Sequence, residues 1–190
     1  MPACWKVPAL FGPTRHNCAM VDEADDSGQQ PSGAEVFAGL RSQALAITAD
    51  QLGLPPDLEV VGLLMDTSYP SGAATLLVVA DGTVSLYLSS GGGMIGAGAR
   101  ASVAVPAREL LAVSKLFRSE FGAASSADLP PAGWTTITLL TPDGRRSVTA
   151  PEEDFGYRRH PASPVFHAAH QVITELRILQ QGSDESTAEN

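Results

Sequence analysis

Only two cysteines occur among the 190 residues, Cys4 and Cys18, and both lie in the first twenty. They cannot staple the body of a domain, so a disulfide framework is excluded and a reducing compartment is expected. With His16 they make at most three zinc ligands, without the paired spacing of a structural site. Long apolar runs are also missing. Stretches such as Leu76 to Ala80 fall far short of the roughly 20 residues a membrane helix needs, so no membrane association is expected. After Lys6 the residues Pro8, Gly12, Pro13, Arg15 and His16 interrupt any apolar stretch, and no secretory leader is expected. Basic clusters amount to the pairs Arg145-Arg146 and Arg158-Arg159 in a chain of net charge −9. Such a surface neutralises few phosphates, and a nucleic-acid partner is not expected. Neither an H-E-x-x-H helix nor a G-x-S-x-G elbow is present.

What is present is an ordinary globular composition, 44% hydrophobic and 17% charged, in a length that suits one buried core. The acidity sits mostly at the ends, with −5 over residues 20–35 and −3 over 182–190. Residues 1–33 are expected to be weakly ordered, 34–181 to form a single domain, and 182–190 to be a disordered acidic tail. The contrast between the cationic stretch before Met20 and the acidic one after it also suggests Met20 as the physiological start.

Within the body, Val36, Phe37, Leu40, Ala44, Leu45, Ile47 and Leu52 fit an amphipathic helix over 34–52, capped by Ser32 or Gly33 and stopped by Gly53 and Pro55. A strand is expected over 58–65. Two β-rich runs in 74–89 flank Asp81-Gly82, a tight-turn dipeptide, and Leu76 to Val79 is apolar on both faces and therefore central. Pro106 is expected in the first turn of a second helix reaching Phe121. A second hairpin follows over 134–150 around Pro142-Asp143-Gly144. Next come a charged loop over 151–159 and a last helix from Pro164 to about Gln181, with Val165, Ala169, Val172, Ile173, Leu176 and Leu179 inward.

The expected fold is thus α+β: one five-stranded, mainly antiparallel sheet with three helices in the order α-β-β-β-α-β-β-α. This element content resembles the profilin, longin and roadblock sandwiches, and the resemblance implies scaffold or adaptor roles. Two stretches, SSGGGMIGAG (89–98) and RHPASPVFHAAHQVITELR (159–177), resemble segments of a family of small bacterial proteins with no known activity. That resemblance implies membership and carries no chemistry.

Two constellations remain. Gly91, Gly92, Gly93 and Gly96 satisfy G-x-G-x-x-G after a strand, but the strand is a hairpin arm, and the parallel strand and ribose-binding acid of a dinucleotide site are missing. No cofactor is expected. The five glycines of the turn, with Gly98 the last, instead offer backbone N–H groups that could form a nest for an anion, with Ser89, Ser90 and Arg100 as side-chain donors. The competing reading needs glycine only for backbone geometry. His160, His167 and His170 cluster near the C-terminus, the last two one helical turn apart. Packing and capping account for them without a metal, and no catalytic or metal-binding residue is assigned.

The first functional expectation is a non-enzymatic cytoplasmic domain that binds a protein partner, a second copy of itself included. The alternative is a small-ligand or anion binder, or an enzyme, using the Gly91 to Gly98 loop with histidines of the last helix. A pocket joining both segments favours the alternative; a broad apolar face without one favours the first.

Overall fold

The structure, a computed structural model, describes residues 31–188. Cys4, His16, Cys18, Met20 and the acidic run that follows lie outside the described residues, and so do the expectations placed on them.

Helix α1 (Gly33–Leu45) opens with a capping box: the Ser32 hydroxyl accepts the Glu35 N–H, and the Glu35 carboxylate accepts the Ser32 N–H at 2.7 Å. It stops well short of Leu52. Thr48 and Gln51 cap each other's backbone and start a separate 3-10 turn at Asp50–Leu52, a local alternative that ends the helix.

Strands β1 (Gly62–Tyr69), β2 (Gly72–Val79) and β3 (Val84–Leu88) follow as two hairpins, and β4 (Gly93–Met94) folds back on β3. Then come α2 (Ala101–Leu116), β5 (Gly122–Ala123), the hairpin β6 (Trp134–Thr141) and β7 (Gly144–Pro151), α3 (Glu152–Gly156) and α4 (Ser163–Ala188). Every pairing in the seven-stranded sheet is antiparallel, in the order β4-β3-β2-β1-β6-β7-β5.

The α+β class holds, but among the described residues seven strands and four helices replace the expected five and three, and the likeness to profilin and roadblock element content goes with them. Three elements were invisible for a common reason. β4, β5 and α3 are two, two and five residues long, and hydrophobic period needs a longer window to register. In α3 the acidic first turn Glu152-Glu153-Asp154 complements the helix dipole, and Phe155 is fully buried as its anchor. Arg158 then takes a left-handed conformation (φ 59°), donating to the Phe155 carbonyl while Arg159 donates to that of Asp154. That is the bonding of a Schellman stop, a position that favours glycine. Pro106 sits inside α2, not in its first turn. Burial of Val103, Ala107 and Leu110 holds that helix despite the missing N–H.

Helices cover both faces of the sheet. On one, α2 and α4 bury Leu63, Met65, Leu76, Val78, Ile137 and Leu139. On the other, α1 places Phe37 and Ala44 against Leu64, Leu77, Val79 and Leu140. A charge lies in this second layer: Asp66, wholly buried, accepts a two-pronged hydrogen bond from Arg41 of α1 (3.0 and 2.8 Å) and a third from Thr75 (2.6 Å). Arg41 also donates to the carbonyls of Ala127 and Asp128, tying their loop to the same point. No helix among the described residues is long and apolar enough to cross a membrane.

Candidate functional site

The β1–β2 turn, the segment after β3 and one side of α4 enclose a cleft of about 340 Å³. On α4 the lining positions are His170, Ile173, Arg177 and Gln180, spaced three, four and three apart, one helical face. Their neighbours Val172 and Leu176 are inside the core, which fixes the rotation of the helix. The floor is apolar, made by Met65, Ala74, Leu76 and Leu86, because these residues share the sheet face turned toward α4. The rim is polar, with Thr67, Tyr69, Ser71, Ser89 and Ser90.

Two rim groups have altered titration. Burial first, then the charge of Glu152 and its hydrogen bond, push the Tyr69 phenol above its usual range, and nearby Arg177 opposes them. The phenol donates to the Glu152 carboxylate at 3.3 Å. His170 is pulled below the usual histidine value by burial, then by electrostatic interaction with Arg177 and His167. Its imidazole is therefore neutral at pH 7, and its Nε2 is buried with no hydrogen-bond partner. Arg177 is exposed and makes no ion pair among the described residues, although its charge is felt at both Tyr69 and His170.

The Gly-rich segment divides in its roles. Ser89 and Ser90 reach the cleft; Gly91, Gly92, Gly93, Gly96, Gly98 and Arg100 do not line it. Ser89 is also structural, its hydroxyl accepting the Ala73 N–H at 2.7 Å. Two of the backbone N–H groups expected to form a nest are used internally: Gly91 donates to the Leu88 carbonyl and Gly96 to the Ser85 hydroxyl. Close approach explains two glycines. A Cβ on Gly93 would run into the carbonyl of Leu86, and one on Gly98 into that of Gly82. Arg100 is the exposed residue before α2 and makes no side-chain cap.

The histidines also separate. His160 and His167 face a different cleft, of about 500 Å³, with Arg158, Pro161, Ser163 and Pro164. There the His160 ring nitrogen Nδ1 accepts the Ala162 N–H (3.0 Å), and the His160 carbonyl accepts that of Ser163. These N–H groups at the entrance of α4 are thereby satisfied from within. No cluster of three or more His, Cys, Asp or Glu poised for a metal occurs among the described residues.

Sequence reasoning missed Tyr69 and Arg177, the groups that give the first cleft its electrostatics. A signal existed for Arg177: it stands seven residues after His170, two turns along the same helix face. For Tyr69 none did, since its approach to α4 depends on the whole sheet.

Fold and cleft together define an α+β domain with an apolar-floored, polar-rimmed cleft between one end of its sheet and the C-terminal helix. Comparison of the chain with protein-family models, curated proteins and solved structures returned no match.

Proposed function

We propose that this chain is a small-ligand-binding domain and that the cleft beneath α4 is its site. The observation that carries the reading is convergence: Ser89 and Ser90, just beyond β3, meet His170 and Arg177 of α4 around one cavity. The cavity lies at the lower end of the size range of ligand pockets and has their usual make-up, apolar walls with a few polar groups. At roughly 30 Å³ per water-sized group it admits a molecule of about a dozen non-hydrogen atoms. The reading takes the cytoplasm as the compartment, supported by the scarcity of cysteine.

The test is a fragment titration followed by two-dimensional NMR. Bound fragments should shift the signals of Met65, Ala74 and Ile173, and Ala74→Phe, which places a ring in the cavity, should abolish those shifts while leaving the remaining spectrum native. A fragment set that leaves these signals unmoved in the wild-type protein overturns the reading.

A protein-partner reading has its own support in the outer helix surface, where Leu116 is 78% and Ile178 55% exposed. The two-residue edge strands β4 and β5 make strand addition the poorer route, because they leave short, interrupted edges. Self-association through the helices would appear as a concentration-dependent mass in light scattering, abolished by Leu116→Glu.

A further inference from the structure

We propose that the ligand of the cleft is a small organic anion, its apolar body seated on Met65, Ala74, Leu76, Leu86 and Ile173 and its acid group held at the rim by Arg177. This inference rests on the cleft being the ligand site and adds the chemical class.

Charge selects the class. Among the described residues, the ionisable groups that line the cleft or act on those lining it are Tyr69 from β1, Glu152 from α3, and His167, His170 and Arg177 from α4. Glu152 already accepts the Tyr69 hydroxyl and is not among the lining residues. Arg177 is a lining residue and has no carboxylate within ion-pair distance among the described residues. Arg41, Arg118 and Arg159 are each paired with an acid; Arg100, Arg108, Arg145, Arg146 and Arg158 share the lack of an ion pair among the described residues, but none of them lines this cleft. A guanidinium beside an apolar cavity matches a carboxylate or phosphate attached to a hydrophobic group, since it donates two parallel hydrogen bonds that a neutral or cationic head group cannot accept in the same way. Ser71 and Ser90 also line the cleft and bring hydroxyl donors to it. A cation would instead meet Arg177 at close range with no lining carboxylate among the described residues to offset it.

The other clefts carry less. In the cleft of His160 and His167 the helix-entrance N–H groups are already bonded. The groove between α2 and residues 55–60 is bridged by a Lys115–Glu59 ion pair at 3.0 Å, and its remaining lining charge among the described residues is the Asp57 carboxylate, which repels an anion.

The experiment uses the full chain and an eight-carbon series differing only in head group: octanoate, octyl phosphate, 1-octanol and octylamine, titrated by NMR and calorimetry. Octanoate or octyl phosphate should bind about tenfold more tightly than 1-octanol, and Arg177→Gln should remove that advantage while leaving 1-octanol affinity unchanged. Arg177→Lys should restore part of it. Preference between the two anions then reports which acid group the rim fits. If 1-octanol or octylamine binds as well as both anions, or Arg177→Gln leaves the ratio unaltered, the anion inference fails while the cleft stands. If no member of the series shifts Met65, Ala74 or Ile173, the cleft reading itself fails. Shifts confined to Leu116 and Ile178 would move the binding surface to the outer helices and overturn both.

Discussion

Arg41→Met should be among the most damaging single changes in this protein. The variant leaves the Asp66 carboxylate, 0% exposed, with the Thr75 hydroxyl as its one remaining side-chain donor, having lost two charge-assisted bonds of 3.0 and 2.8 Å. Removing one partner of a buried ion pair costs about 3–5 kcal/mol, set against a total stability of about 5–15 kcal/mol for a domain. Asp66→Leu should cost less. Arg41 is 12% exposed, can turn toward water, and keeps the Ala127 and Asp128 carbonyls; the main loss is a buried Thr75 hydroxyl without its acceptor, about 1–3 kcal/mol. The double variant Arg41→Met/Asp66→Leu removes both charges together and should recover to within about 2 kcal/mol of wild type. Urea unfolding of the four proteins, with unchanged m-values, measures the cycle. Additive single effects, or a loss below about 1 kcal/mol for Arg41→Met, would show that the pair is not what joins α1 to the sheet.

Three further outcomes are expected. Leu176→Ala, at a site 1% exposed beneath α4, should cost about 2–5 kcal/mol in chemical unfolding, and a loss under about 0.5 kcal/mol would place that face of the helix in solvent. Arg158→Gly should raise stability by about 1 kcal/mol, because glycine takes the left-handed stop of α3 without the penalty of a Cβ; a thermal midpoint that falls would mean that the arginine side chain is needed there. Stability should decline as pH falls from 7 through about 6.5 toward the depressed folded value of His170: in that window the unfolded chain binds the proton and the folded one does not. His170→Gln should flatten this slope of thermal midpoint against pH, and an unchanged slope would assign it to other groups.

Features specified by neighbours along the chain are legible in the sequence. Gly82 (φ 94°) and Gly144 (φ 109°) take the positive angles their turn dipeptides demand, with the Asp81 carboxylate accepting the Thr83 N–H at 2.8 Å. The cap of α1 is Ser32, one of the two residues the sequence offered, and Val165, Ala169, Val172, Ile173 and Leu176 of α4 are buried as their spacing requires. Backbone geometry and helical period act over a few residues, so a few residues carry their signal. The α1 end, the start of α2 and the little strands β4 and β5 escape a sequence reading because a competing cap, a tolerated proline and a pairing partner decide them. Farther apart, Asp66 finds Arg41 across 25 positions, β1 finds β6 across some seventy, and Ser89 meets His170 and Arg177 only once both are packed on one sheet. Each of those contacts forms because burying a shared apolar layer brings distant segments together, a force that depends on summed area and not on any local motif. The sequence by itself therefore determined the turns, the caps and the apolar stripe of α4. The cleft and the buried charge at the centre of the sheet were decided by the tertiary structure alone.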